Sequence, residues 1–292
     1  MPITLTRPFQ TLRTIRHCQL DLLIDFTPWQ RLTAFYTAAS GAKYRVGFRS
    51  ENQCRHWHYD LTADHTAKVH EVDNFRGLLR AIGITPSSDP QLKFECDKAD
   101  ASTECAYIKV VFHPWATGDR HSLREWPEER WVELAQRLTT SSTLFLVTGS
   151  PAQLQRSKQL VGQLETAGVR AKAFVGDKGI QSLCELLKES RLVVSVNTGV
   201  MHLAAVLGTS TIALNGPTAS HRWGPVGPSV ASVAPRGVGC GYLHLGFEFD
   251  DNPTDCMERT DIEDVLSAVR QLRPDLLNHL NQSASSRQAA DC

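Results

Sequence analysis

The chain has 292 residues, enough for one large or two medium domains with a sizeable buried core. Lysine plus arginine and aspartate plus glutamate both number 31, so the formal charge is zero and the basic surplus of a phosphate-neutralising nucleic-acid binder is absent. No apolar run approaches the ~20 residues needed to span a bilayer, and the opening MPITLTRPFQ holds no apolar signal core; the expectation is a soluble protein that at most touches a membrane surface.

In chain order, residues 20–26 (LDLLIDF) read as a strand, and 29–39 as a helix that Gly41 stops. Residues 44–48 form a second short strand. Over 68–82, Val69, Val72, Phe75, Leu78, Leu79 and Ile82 recur at helical spacing, and TPSSDP at 85–90 breaks the pattern. Strands at 107–112, 144–148, 171–175, 192–196 and 211–214 then alternate with helices at 128–138, 152–166, 180–189 and 200–207. Thr260 and Glu263 have the spacing of a capping box opening a last helix at 262–272. Strands that are apolar throughout, each followed by a helix, predict a parallel sheet covered on both faces. The polar stretch DKADASTECA suggests a boundary: a partial first domain over 1–98, a linker at 99–106, a second domain over 107–272 and a polar tail over 273–292. The first domain reads as incomplete, with two strands and two clear helices before residue 85, and the chain starts almost at a strand that would be internal.

Eight cysteines, at 18, 54, 96, 105, 184, 240, 256 and 292, show no C-x-x-C spacing. They read as the scattered reduced thiols of a cytosolic protein, with a bridge between Cys240 and Cys256 left open.

Chemistry concentrates in three segments. In VVSVNTGVMHLAA (193–205) a strand runs into Asn197, Thr198 and Gly199, where a helix starts. A helix N-terminus presents unpaired N–H groups and partial positive charge, Gly199 lets a ligand approach the backbone, Thr198 adds a hydroxyl, and His202 lies one turn in. An ordinary capped turn with a core histidine would look the same. In FHPWATGDRHSLREWPEERW (112–131) the loop after a strand carries Thr117, Gly118, Arg120, His121 and Arg124, which suits a pyrophosphate, though most charged loops are merely solvated. In FLVTGSPAQ (145–153) a strand runs into Gly149, a weaker signal for a base or ribose.

Taken together, residues 20–272 resemble glycosyltransferase family 9, the lipopolysaccharide heptosyltransferases. The resemblance rests on SGAKYRVGF (40–48), HPWAT (113–117), REWPEERW (124–131), TGSP (148–151), NTGVMHLAA (197–205) and LNGPT…RWGP (214–225), in that order. It implies an α/β fold of the GT-B type, two Rossmann-like domains facing across a cleft, with the N-terminal one incomplete here. The C-terminal domain would hold an ADP-sugar and the N-terminal one a lipopolysaccharide core acceptor. The family's site places Arg124 on the donor diphosphate, where it stabilises transition-state charge, with Thr117, Gly118, Thr198, Gly199 and His202 around it. Gly149 and Gln153 fall near the nucleotide. Asn197 stands where the family has an aspartate near the sugar hydroxyls, which puts donor preference in question. The implied reaction is inverting and needs no metal and no cofactor. The implied location is the cytoplasm or the cytoplasmic face of the inner membrane, with peripheral membrane contact and no nucleic acid. The family's general base, an aspartate in a Gly-Asp context after the first strand, has no match, and Asp21 and Asp25 belong to a later strand. The base is therefore unassigned, and this chain is expected to bind ADP yet transfer sugar negligibly. A nucleotide-sugar-binding remnant without catalysis is the second reading; a sugar-nucleotide epimerase fits the ordered motifs less well.

Overall fold

The computed structural model describes residues 6–95, 107–176 and 179–277, in two compact units, Met1–Ser88 and Asp89–Cys292.

In the first unit, β1 (Leu22–Asp25), β2 (Tyr44–Ser50) and β3 (Leu61–His65) form a parallel sheet in that order. Three helices accompany it: α1 (Thr6–His17), α2 (Arg31–Ala39) and α3 (Glu71–Ala81). Alternation along β2 buries Val46 and Phe48 against Leu78 of α3, with Ile24, Ala63, Phe75 and Ile82 packed around them. Gly41 ends α2 at φ +77°, a left-handed conformation that glycine adopts without strain. A Cβ at Gly47 would overlap the Tyr59 ring, so the glycine lets that ring lie against β2. Two features of this unit differ from the sequence expectation. Its described residues hold three strands rather than two, because LTADH is too polar to read as one. They also hold a third helix, α1, whose described side chains are largely exposed. Among the described residues β1 pairs only with β2.

The second unit is built on β4 (Ile108–His113), β5 (Thr143–Gly149), β6 (Ala171–Val175), β7 (Leu192–Val196), β8 (Thr211–Leu214) and β9 (Val230–Val233). All pairings are parallel, in the order β6-β5-β4-β7-β8-β9, so the winding reverses between β4 and β7. The helices are α4 (Glu128–Leu138), α5 (Leu154–Thr166), α6 (Gly179–Glu189), α7 (Gly199–Val206), the short α8 (Ser220–Trp223) and α9 (Ile262–Leu272). Strand alternation sorts the core into two layers. Val110, Phe112, Phe145, Val147 and Val194 meet Trp131, Leu160 and Leu266 on one face. Val111, Leu144, Leu146 and Val193 meet Leu186, Leu187 and Ala204 on the other. Burying strands on both faces is what makes them continuous apolar runs in the sequence. The short β9 and α8 leave no such signal.

Residues 89–95 side with the second unit: the Leu92 N–H donates to the Val206 carbonyl at 2.8 Å, and Lys188 donates to the Phe94 carbonyl. The division thus falls between Ser88 and Asp89, and the linker expected at 99–106 lies outside the described residues. The cap of α9 is Asp261, whose carboxylate accepts from the Glu263 N–H at 3.0 Å; Thr260 instead donates to the Cys256 carbonyl at 3.1 Å, so the Thr260–Glu263 box does not form. The tail expected from 273 begins as core, with Leu276 and Leu277 of a 3-10 turn buried, while 278–292 lie outside the described residues.

Candidate functional site

Open parallel sheets bind ligands beyond the carboxyl ends of their strands, where the winding reverses. A cavity of about 650 Å³ occupies that place in the second unit. Its rim and floor come from the ends of β4 (His113, Trp115, Thr117) and β5 (Thr148, Gly149, Gln153). Thr198 and Gly199, at the start of α7, supply a polar wall. Phe174, Ile180, Leu183, Val200 and Leu203 supply an apolar one. A cavity with one apolar slot and a few convergent polar groups has the makings of a small-ligand site.

Of the residues singled out in the sequence, Thr117, Gly149, Gln153, Thr198 and Gly199 line this cavity, whereas Gly118, Arg124, Asn197 and His202 are not among its lining residues. A Cβ added at Gly199 would meet nothing within 4 Å beyond its own helix and chain neighbours, so the space at this cavity-lining residue is open. At Gly149 a Cβ would come within 2.9 Å of the Trp115 ring, so that glycine serves close packing of the cavity wall. Gln153 carries a scaffold role: its amide oxygen accepts the Ser150 N–H at 2.8 Å and its amide nitrogen donates to the Ala116 carbonyl at 3.3 Å.

Arg124 ends a 3-10 turn (His121–Arg124), and its Nη2 donates to the Thr117 carbonyl. Its Nε is buried with no hydrogen-bond partner among the described residues, and burial pushes its pKa below the ordinary arginine value. A half-buried guanidinium with an unpartnered Nε, next to the cavity-lining Thr117, could take an anion. Gly118 adopts φ +90° beside it, a turn that brings the Arg124 head close. The loop is braced from behind. Glu125 accepts from Arg156 at 2.7 Å and from the Ala116 N–H at 3.1 Å, and the Arg156 guanidinium lies 4.0 Å above the Trp115 ring. Trp115 is itself pinned through Nε1 to Ser157 at 2.8 Å.

Asn197 is committed to the fold. Its amide donates to the Asn215 side-chain oxygen at 2.7 Å and to the Trp223 carbonyl at 2.8 Å. Trp223 in turn donates to the His244 carbonyl at 2.8 Å, inside the loop closed by a disulfide between Cys240 and Cys256. Reduced thiols are the sequence expectation, with this bridge left open; the structure forms it, with the two cysteines 5.8 Å apart at Cα. His202 is half-buried in the first turn of α7, its N–H bonded to the Thr198 carbonyl at 3.4 Å.

Sequence reasoning missed two contributors. His113, at the end of β4, is almost fully buried and lines the cavity, and burial holds its pKa down at about 4. The HPWAT string displays it, but a strand-end histidine offers no further local signal. The apolar wall of Phe174, Ile180 and Leu183 was missed because its pattern is that of any core-facing strand and helix.

Comparison with known proteins agrees with this architecture. The model of glycosyltransferase family 9 (heptosyltransferase) matches residues 9–240. Lipopolysaccharide heptosyltransferase 1 of Pseudomonas aeruginosa is 32% identical over 165 residues, covering 56% of this chain and 39% of that protein. Lipopolysaccharide heptosyltransferase 1 of Escherichia coli K12 is 32% identical over 207 residues, covering 68% of this chain and 61% of that protein. The matched stretch is thus less than two-thirds of either relative's length. Among solved structures, E. coli heptosyltransferase WaaC with ADP superposes with a TM-score of 0.66 at 19% identity, covering 91% of this chain and 79% of that one. The fold is therefore of the GT-B type, a pair of Rossmann-like α/β units. Since the family model matches most of its length, the chain belongs to glycosyltransferase family 9, the heptosyltransferases.

Proposed function

We propose that the protein is a glycosyltransferase of lipopolysaccharide core synthesis that takes a heptose or related sugar from an ADP-sugar, with inversion at the anomeric carbon. The observation that carries this reading is the strand-end cavity, where an apolar slot adjoins Thr117, Thr198 and the open helix start at Gly199. The slot suits a base and the helix start suits phosphates. One of the structural relatives was solved with ADP, which supports the same choice of nucleotide. In this reading the acceptor hydroxyl attacks the anomeric carbon as ADP leaves. The leaving diphosphate gains charge, and Arg124 and the N–H groups opening α7 stabilise it without reorganising. No metal or cofactor is required in this scheme. The acceptor is a lipopolysaccharide core or related glycolipid, reached from the cytoplasm or the cytoplasmic face of the inner membrane.

The proton of the attacking hydroxyl needs a base. Asp25 is unsuited to that role. It is buried and accepts from Arg55 at 2.5 Å, from the Tyr59 hydroxyl at 2.7 Å and from the Thr27 N–H at 2.9 Å. Asp25 thus supplies no base, and a nucleotide-sugar binder that does not transfer stands as the second reading. The deciding experiment incubates the purified chain with ADP-heptose and a core acceptor and follows ADP release and product mass. Acceptor-dependent ADP release supports transfer. Tight ADP binding without release supports the second reading, and absence of both removes the ADP-sugar assignment.

A further inference from the structure

One buried, titratable group in the cavity has no part in the transfer scheme. His113 ends β4, the strand between β5 and β7 in the sheet order. Its Nδ1 lies 2.9 Å from the Thr148 hydroxyl on β5, and that hydroxyl donates to the Phe112 carbonyl at 3.2 Å. A hydroxyl has one proton, and a carbonyl can only accept. With the Thr148 proton spent on Phe112, Nδ1 must carry its own proton and donate it to the Thr148 oxygen. The ring is then the tautomer with a bare lone pair on Nε2. The described side-chain hydrogen bond of the ring runs through Nδ1, and the ring lines the cavity.

We propose that His113 is a binding residue that accepts a hydrogen bond through Nε2 from a ribose hydroxyl of the nucleotide, and that Thr148 is a positioning residue that fixes the required tautomer. The proposal rests on the nucleotide-sugar reading and adds a residue and a partner group to it. The choice of ribose follows from the layout. The apolar slot (Phe174, Ile180, Leu183) belongs to β6 and α6 on one side of β4, and the helix start at Thr198 and Gly199 follows β7 on the other. A base in the slot and phosphates at the helix start leave the ribose over the end of β4. A lone pair there attracts a hydroxyl and repels a phosphate oxygen. Burial keeps the imidazole neutral at physiological pH, so it stays an acceptor.

The test is calorimetry of ADP, 2′-deoxy-ADP and 3′-deoxy-ADP on the whole chain, for wild type and for His113→Leu. Wild type should bind one of the deoxy analogues about tenfold more weakly than ADP, the size expected of one net hydrogen bond. His113→Leu should bind ADP about tenfold more weakly and no longer distinguish that analogue. Thr148→Val keeps the shape and the imidazole, so it stands in should His113→Leu fail to fold. Nitrogen-15 NMR of the His113 ring should show a protonated Nδ1 in wild type, and Thr148→Val should lose both that signature and part of the discrimination. If wild type binds ADP but His113→Leu retains the full discrimination, or the ring carries its proton on Nε2, this inference is overturned while the functional reading stands. If wild type does not bind ADP, the functional reading fails and the ribose contact fails with it.

Discussion

At the scale of single residues, the site separates groups that meet ligand from groups that hold the wall. Arg124 is proposed for the first kind: it is half-buried, its Nε is unpartnered among the described residues, and it sits beside Thr117. Losing a charge-assisted contact to a diphosphate costs about 2–3 kcal/mol, so Arg124→Ala should weaken ADP binding by roughly 30- to 150-fold in calorimetry. An unchanged affinity would remove Arg124 from the site. Asn197 belongs to the second kind. Asn197→Asp replaces both of its donations by a carboxylate facing the Trp223 carbonyl, and should lower stability by about 2 kcal/mol, read as a shift in denaturant midpoint. An unshifted midpoint would show that the amide is not holding α8. His113 gives a pH dependence. Its pKa is about 4 in the folded protein, from burial, against 6.5 ordinarily, so the unfolded chain binds the extra proton between those values. Its contribution is complete above pH 6.5 and is lost as pH falls towards 4, roughly 3 kcal/mol in all. His113→Leu should therefore show a flatter decline of stability from about pH 7 to about pH 4 than wild type; parallel profiles would contradict a buried neutral imidazole. The positions of Thr117, Thr198 and Gly199 were legible in the sequence because glycine and hydroxyls at strand ends carry their own chemistry. The role of Gln153 was not, since its two backbone partners, Ser150 and Ala116, come together only through the fold.

At the scale of elements, α7 is the device on which the proposal turns. It starts directly at the end of β7, and its first residue faces open space. Gly199→Val should fold with a melting temperature close to wild type, because an added Cβ meets nothing within 4 Å beyond its own helix and chain neighbours. It should lose the ADP-induced rise in melting temperature that linkage requires of a binder. A full ligand-induced shift in that variant would mean the anion is not at the helix start. The β-α alternation of the second unit was readable because its strands are buried on both faces, and helices 128–138 and 262–272 follow from apolar spacing to the residue. What escaped were elements whose signal is tertiary. LTADH pairs as β3 through its backbone despite its polar side chains, and Asp261 caps α9 because Thr260 is drawn into the core towards Cys256.

At the scale of the whole molecule, the two units differ in how deeply their sheets are buried. β4, β5 and β7 are covered on both faces, whereas Leu22, Tyr44 and Leu61 of the smaller sheet are exposed. Amides of β4, β5 and β7 should therefore exchange with deuterium last, and those of β1 and β3 much sooner; equal protection would contradict this division. The family was legible in the sequence because six short strings recur in order, while the strand-end cavity was legible only in part: its apolar wall reads as core until the strands are ordered. The central claim is that the larger unit holds a nucleoside diphosphate at the ends of β4, β5 and β7. The measurement that tests it most directly is titration of ADP into wild type, Arg124→Ala and Gly199→Val by calorimetry. The account predicts saturable one-to-one binding in wild type, weakened by at least about tenfold in both variants. No binding in wild type, or equal affinity in all three proteins, would contradict it.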